Sequence, residues 1–396
     1  MSKKIIVNKF GGGILKKEFI PFIEQRIREQ ISRGYYPVVV VSALPGVTDN
    51  LLKKTSRKSP QMKDSIVSAG ERESAQILAK YLSDLGMPAQ VVQAEEMIVT
   101  DNNFGNANII YKLSEKNVQK RLASLDKIPV IPGFIGKTKS GITTTLGRGG
   151  TDTTACFVGA ALRAHKVILW KDVDGVMSAN PKIVKNAKTV PFVSYQEAEE
   201  AGKIIHSKAI QYVKIHNTPI EIASLVDPKQ KTVVGKAKKL KHGTLRRHGS
   251  GGRAKIVSYK KDLVLFTISD ESKKENSLLS ISSNAFFKHK VDIILISNTQ
   301  YSIQIVADNA NGKADEVYEE INKKVKDVDM HSVSMIYLIG NFTVKDVNEF
   351  NMMLIKMKTD LEISAFLYKN CTRIEAIIKE KDIDKIINNL HKKFIK

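Results

Sequence analysis

Up to about Asp227, apolar and polar positions alternate between two periods. Lys4–Lys9 (KIIVNK) is a short apolar run that ends at a glycine run, Gly11–Gly13, and reads as a buried strand. Pro37–Ser42 (PVVVVS) is a continuous β-branched run, as in parallel strands covered on both faces. Pro129–Pro132 and Lys166–Trp170 (KVILW) read as further strands, and Gln90–Gln93 as a short one. Between them, Glu18–Arg33, Ser68–Leu85, Asn117–Leu125 and the alanine-rich Asp152–Ala164 read as helices. Strands alternating with helices predict an open α/β sheet.

The pattern changes near Asp227. The stretch Asp227–Arg253 holds nine Lys or Arg residues and one acid, with proline and glycine, and reads as an inter-domain linker. Beyond it, strands are expected over Leu263–Ile268, Asp292–Ile296 and Tyr301–Val306, with helices over Leu278–Lys288 and Asp315–Val325. Val333–Ile339, Val347–Met357, Leu361–Leu367, Arg373–Ile378 and Lys381–Phe394 repeat the series. Two successive βαββα units predict two small ferredoxin-like domains.

Composition adds one oddity. The 396-residue chain carries 63 basic and 41 acidic side chains, a net charge of +22. Excess positive charge points to polyanions or anionic small molecules. The charges are spread along the chain, and no zinc-finger spacing, RNA-recognition aromatic motif or long basic amphipathic helix accompanies them, so neither nucleic acid nor membrane is expected as a partner. No apolar run reaches the roughly 18 to 20 residues of a membrane span. The apolar stretch Ile5–Val7 is shorter than the roughly 7 to 15 residues of a signal peptide. Cys156 and Cys371 fit no metal spacing and read as buried thiols in a reducing compartment.

Two familiar phosphate motifs fail. Gly136-Lys137-Thr138 resembles the tail of a P-loop, but Ile131 stands where that motif needs glycine, and Gly147 and Gly149 are followed by Asp152 rather than the third glycine of a dinucleotide fingerprint. Two other glycine clusters remain. In Lys9-Phe10-Gly11-Gly12-Gly13, bare amides could approach phosphate oxygens and Lys9 could neutralise a transferred group. A tight turn with a solvated lysine reads equally well there. Gly147-Arg148-Gly149-Gly150-Thr151-Asp152 stands immediately before a helix, whose N-terminus attracts anions. Arginine, hydroxyl and carboxylate together in that turn exceed what turn geometry requires.

These stretches resemble the amino-acid kinase family and, within it, the aspartate kinases. The matching segments are KFGG at Lys9–Gly12, VVVVSALPGVTDNL at Val38–Leu51, SAGERES at Ser68–Ser74 and GFIGKTKSGITTTLGRGGTDTTA at Gly133–Ala155. LWKDVDGVMSANPK at Leu169–Lys182, SYQEAEEAGKIIHSKAI at Ser194–Ile210, HGTL at His242–Leu245 and LHKKF at Leu390–Phe394 follow in the family's order. The resemblance implies a three-layer αβα kinase domain over about 1–245. It also implies a regulatory pair of ACT units over 255–396, divided into about 255–330 and 331–396.

The activity so implied is transfer of the γ-phosphoryl group of ATP to the β-carboxylate of L-aspartate, with Mg²⁺, the first step of lysine, threonine and methionine biosynthesis. An ionised carboxylate is already a nucleophile, so placement and charge neutralisation suffice without a general base. Arg148 suits a carboxylate as a planar fork. Glu71 and Asp152 suit an ammonium, and Ser42, Thr48 and Thr151 supply hydroxyls. The resemblance puts these six in the aspartate site, with Lys9 and Asp152 as the catalytic pair. It gives Lys9, Gly11 and Gly12 to the phosphates, and Lys171, Asp172, Met177, Lys182 and Lys203 to the nucleotide pocket. His206 is expected to be structural, and no all-protein metal cage is expected, because Mg²⁺ bridges phosphates and keeps waters.

The chain departs from the family at Gly13-Ile14, where a hydroxyl usually follows KFGG. It also departs at Lys171, usually Thr, and at Asn180-Pro181-Lys182, usually Asp-Pro-Arg. A lysine keeps the charge and loses the fork. The alternatives are another amino-acid kinase, or a catalytically weak ACT-domain sensor. A cytoplasmic homodimer with an amino-acid effector at the ACT units completes the expectation.

Overall fold

The computed structural model describes residues 4–55, 57–123, 125–201, 205–237, 254–273, 275–298, 301–367, 372–379 and 383–395. The chain forms two compact units, Met1–Met177 with Lys188–Ser250, and Ser178–Ala187 with Gly251–Lys396.

The strands of the first unit are β1 (Lys4–Phe10), β2 (Tyr35–Val41), β3 (Ala89–Val91), β4 (Val99–Thr100), β5 (Ile128–Pro132), β6 (Ile135–Thr138), β7 (Thr143–Thr145), β8 (Lys166–Lys171), β9 (Phe192–Ser194), β10 (Ile220–Ser224) and β11 (Lys231–Gly235). Its helices are α1 (Ile20–Ser32), α2 (Val47–Lys54), α3 (Pro60–Val67), α4 (Ala69–Asp84), α5 (Tyr111–Ala123), α6 (Gly150–Ala161), α7 (Tyr195–Ala201) and α8 (Ser207–His216). An eight-stranded sheet runs β3-β5-β2-β1-β8-β10-β11-β9, parallel from β3 through β10. A small sheet, β4-β6-β7, stands beside it.

The β-branched strands are buried on both faces because helices cover both. Ile6, Phe10, Val39, Val41 and Ile168 pack with Ile23 and Ile27 of α1 and with Leu78 and Leu82 of α4. On the opposite face α6 comes so close that a Cβ on Gly159 would stand 2.3 Å from Val167 Cγ2. This is the three-layer arrangement expected. Within the first face, buried Asn8 exchanges hydrogen bonds of 2.8 and 2.7 Å with Gln30 and accepts one of 2.9 Å from Trp170 Nε1. A polar core residue must be satisfied in this way, and here it pins α1 over β1 and β8.

Two expectations need correction. Helix α5 begins at Tyr111, six residues before the expected start. The expected linker does not open at Asp227, because β11 pairs antiparallel with β10 and buries Thr232 and Val234. Its remainder from 238, with the HGTL segment, lies outside the described residues, as do Lys203 and Cys371.

In the second unit come β12 (Ala254–Ser269), α9 (Glu275–His289), β13 (Ile293–Asn298), β14 (Ser302–Asp308), α10 (Ala314–Asn322), β15 (Asp327–Gly340), α11 (Val344–Lys356), β16 (Leu361–Leu367), β17 (Arg373–Lys379) and α12 (Ile383–Phe394). These are the two βαββα series, merged into one antiparallel sheet, β13-β14-β12-β15-β17-β16. One core runs from Val264 to Met330, while the other takes the start of β12 together with residues from Ile336 onward. Strand β12 is far longer than its apolar run suggested, and a register shift between Lys260 and Leu263 splits it. Phe266 and Ile268 belong to one core with Leu278 and Phe286. Ala254 and Val257 belong to the other, with Ile336, Phe350 and Leu390.

Residues Ser178–Ala187 also belong to this unit. Ala179 and Val184 are buried in the core with Leu390. Ser178 Oγ stands 2.9 Å from His391 Nε2, and Asn388 Nδ2 donates to Ile183 O at 3.1 Å.

Candidate active site

Strands β5, β2, β1 and β8 run parallel, so their carboxyl ends share one edge, where open α/β sheets bind ligands. A cavity of about 730 Å³ lies there. Its wall includes Lys9, Ser42, Thr48, Glu71, Arg148, Thr151 and Asp152, the whole set expected for catalysis and for aspartate.

Lys9 is near the end of β1, and its Nζ lies 2.7 Å from Oδ1 of Asp152 in the first turn of α6. Both side chains are mostly buried, at 12% and 14% exposure. A Cβ on Gly11 would stand 3.0 Å from the Lys9 ammonium, so glycine there keeps the space around it open. Ser42, directly after β2, donates its hydroxyl to Thr151 Oγ1 at 3.0 Å.

The loop before α6 is a turn closed by Gly150 N–H donating to Gly147 O at 2.9 Å. Gly149 caps the helix at φ +68°, in the left-handed region that favours glycine. A Cβ there would also stand 2.8 Å from His206 Cβ. The turn carries Arg148, exposed, on the cavity wall. His206 itself caps α8, its Nδ1 accepting the Lys208 N–H at 3.3 Å. Burial, then the Lys208 and Arg148 cations, hold its imidazole below the usual range against the pull of Asp152.

Glu71 enters from the first turn of α4 and is 3% exposed. Burial pushes its carboxyl up to about 7, while the backbone amides of residues 71 and 43, the Thr48 hydroxyl and Arg72 pull the other way. Among the described residues its Oε2 has no hydrogen-bond partner. A buried carboxyl on a cavity wall is suited to receive a cation. Burial likewise raises the thiol of Cys156, with Asp152 adding to the effect and Lys9 opposing it.

The residues expected around the nucleotide are less gathered. Gly11 and Gly12 follow β1, and Lys171 ends the neighbouring β8, where Phe10 pairs with Trp170. Asp172 is exposed beyond it. Met177 bridges to Thr189, whose Oγ1 lies 3.7 Å from its sulfur. None of these five lines the cavity. Lys182 falls in the second unit, its N–H donating to Asn180 Oδ1 at 3.0 Å.

The cavity also brings in residues that sequence reasoning missed. Phe134 has φ +69°, and its N–H donates to Thr154 Oγ1 at 3.0 Å. Asp64, in α3, is 3% exposed and accepts hydrogen bonds from two other segments. Neither has a signal in a single sequence: one is an ordinary aromatic beside a glycine, the other an acid in a helical run.

The model of the Amino acid kinase family matches residues 4–224. The chain is 28% identical to the aspartokinase of Rickettsia felis over 98% of its own length and 99% of the relative's. It is 37% identical to aspartokinase 1 of Bacillus subtilis over 58% of its own length and 60% of the relative's. Its fold matches E. coli aspartokinase III in complex with aspartate and ADP, with a TM-score of 0.79, 19% identity, and coverage of 99% of this chain and all of that one. It also matches that enzyme in complex with lysine and aspartate, with a TM-score of 0.78. A family match across more than half the chain, on the domain that holds the cavity, establishes that this protein belongs to the amino acid kinase family.

Proposed function

We propose that the chain is an aspartate kinase, which transfers the γ-phosphoryl group of ATP to the β-carboxylate of L-aspartate. The observation that carries this reading is the single cavity combining an arginine in a glycine turn, a buried carboxyl with an unpartnered oxygen, and the Lys9–Asp152 pair. L-Aspartate is the complement of that set: two carboxylates and one ammonium. The relatives named aspartokinase, one of them aligned over 98% of the chain, support the same activity.

In this reading Arg148 takes the α-carboxylate by two charge-assisted hydrogen bonds, and Glu71 receives the ammonium. Ser42, Thr48 and Thr151 orient the amino acid. A β-carboxylate oxygen then attacks the γ-phosphorus, the bond from that phosphorus to the β,γ-bridging oxygen breaks, and ADP leaves. No proton need be removed, because the nucleophile is ionised at neutral pH. Lys9 stabilises negative charge on the moving phosphoryl group, an effect that grows in the transition state. Asp152 holds the ammonium of Lys9 in place and lowers its freedom to wander.

The nucleotide lies along Gly11, Gly12, Lys171, Asp172 and Met177, all in the first unit. A Cβ on Gly12 would stand 2.7 Å from Ala43 O, so glycine there lets the turn pack on the loop after β2, and its bare amides suit a polyphosphate. Mg²⁺ carried in with the nucleotide would supply charge neutralisation. The second unit is the regulatory ACT pair, the site of a homodimer contact and of an amino-acid effector, in a cytoplasmic enzyme. Among the described residues no helix is long and apolar enough to cross a membrane. An assay of ATP consumption with and without L-aspartate tests the proposal: consumption that rises with aspartate supports it, and consumption indifferent to aspartate overturns it.

A further inference from the structure

Glu71 and Arg148 reach the cavity from parts of the first unit that are distant in sequence. Glu71 stands at the start of α4, directly after α3. Arg148 stands three residues beyond the end of β7. Any site that grips an amino acid by its ammonium and its α-carboxylate depends on the distance between these two groups, and something must hold that distance.

One buried side chain joins the two segments. Asp64, in the second half of α3, is 3% exposed and lies on the cavity wall. Its Oδ2 accepts the backbone N–H of Thr145 at 2.8 Å and that of Gly105 at 2.9 Å. Its Oδ1 accepts the Thr145 hydroxyl at 2.9 Å. Thr145 is the last residue of β7, and Ala107 N–H donates to its carbonyl at 2.9 Å. The turn at Gly105 leads into Asn106, whose Oδ1 lies against Gly147: a Cβ on that glycine would stand 2.6 Å away. Asp64 therefore fixes both the strand end that leads into the Arg148 turn and the loop on which that turn rests. Three bonds to a buried carboxylate are strong because acceptor charge and low dielectric both favour them.

We propose that Asp64 is a positioning residue that sets the spacing between Glu71 and Arg148, which together hold the amino-acid head, and so fixes where the side-chain carboxylate falls. It acts through those two groups without touching substrate. The inference rests on the aspartate-kinase reading of the cavity.

The test compares the full-length chain with Asp64→Ala and Asp64→Asn. Asparagine keeps an oxygen for the two backbone N–H groups, and its amide can donate to the Thr145 hydroxyl; alanine loses all three bonds. In Asp64→Ala the KM for L-aspartate should rise roughly tenfold or more, since a misplacement of about 1 Å caused away from the chemistry can cost on the order of 100-fold. The KM for ATP should stay within about twofold, well under the factor of ten that 1.36 kcal/mol represents. The preference for L-aspartate over L-glutamate should narrow, and Asp64→Asn should restore most of both effects. A loss of protein merely through misfolding would lower active enzyme without moving either KM or the selectivity ratio. Unchanged aspartate KM and selectivity in Asp64→Ala, or equal rises in both KM values, would overturn the inference. An inactive wild-type chain would instead overturn the aspartate-kinase reading itself.

Discussion

Lys9 Nζ and Asp152 Oδ1 stand 2.7 Å apart, one on the first strand of the large sheet and the other on the first turn of the helix behind the arginine turn. The pair fastens the glycine turn expected at the phosphates to the cavity that holds the acid-binding residues. A cation so held has little freedom to follow a substrate, which suits it to charge that develops at one place. Lys9→Met should therefore lower kcat by about two orders of magnitude or more, with only modest change in either KM. Steady-state kinetics with both substrates checks this. A kcat within about threefold of wild type, well short of one 1.36 kcal/mol decade, would leave Lys9 a structural lysine.

Arg148→Lys keeps the charge and removes the fork. The expected loss is on the order of 1.5 to 3 kcal/mol of substrate binding, felt in the KM for aspartate and not in that for ATP. Titrating each substrate at saturating levels of the other separates the two. An unchanged aspartate KM would remove Arg148 from the substrate site.

Glu71 gives a pH signature. Burial raises its carboxyl to about 7, so near neutrality the empty cavity holds a mixture of protonated and ionised forms. The substrate ammonium binds the ionised form, so kcat/KM for aspartate should rise with pH through about 7, and Glu71→Gln should abolish that limb along with most of the affinity. Stability runs the other way. A carboxyl whose folded value lies above its ordinary 4.5 leaves the fold fully stable below 4.5 and costs stability as pH rises to about 7. The cost is on the order of 3 kcal/mol, so Glu71→Gln should raise Tm at pH 8 and leave it unchanged near pH 4. Equal Tm shifts at the two pH values would contradict the buried-carboxyl account.

The loops that follow the first strand of each ferredoxin-like unit are poor in glycine: Ser269–Asn276 has none, and Gly340–Asp346 has only Gly340. In the first, Asp270 is buried and accepts from the N–H and hydroxyl of Ser272, from Lys273 Nζ at 2.7 Å and from Lys326 N–H at 3.3 Å. Bonds from Lys273 and Ser272 hold that carboxyl far below the usual range. In the second, Thr343 and Asp346 form a capping box at α11. Side chains that brace their own loops are not offered to a ligand. Lysine and threonine should therefore inhibit weakly or not at all. Titrating each against the aspartate-dependent rate checks this, and full inhibition at submillimolar concentration would show that the braced loops still bind an effector.

Much of this architecture was legible in the chain because its physics is local. KIIVNK, PVVVVS and KVILW are continuous apolar runs, as strands buried on both faces must be, and GRGGTD pairs turn glycines with a helix start. What escaped was non-local. Asp64 reveals its place only through bonds to Gly105 and Thr145, 41 and 81 residues away. The strand β12 hid its first half, since its polar positions alternate across an antiparallel sheet and lack a continuous run. Ser178–Ala187 resembles a nucleotide loop in sequence, yet it packs in the second unit through contacts such as Ser178 with His391, 213 residues on.

The central claim is the reaction itself. Incubating the full-length chain with MgATP, hydroxylamine and either L-aspartate or L-glutamate traps an acyl phosphate as its hydroxamate. The account predicts a coloured iron–hydroxamate complex with L-aspartate and a much weaker one with L-glutamate, whose extra methylene misplaces the nucleophile between fixed charges. Comparable yields from the two acids, or none from aspartate, would contradict it.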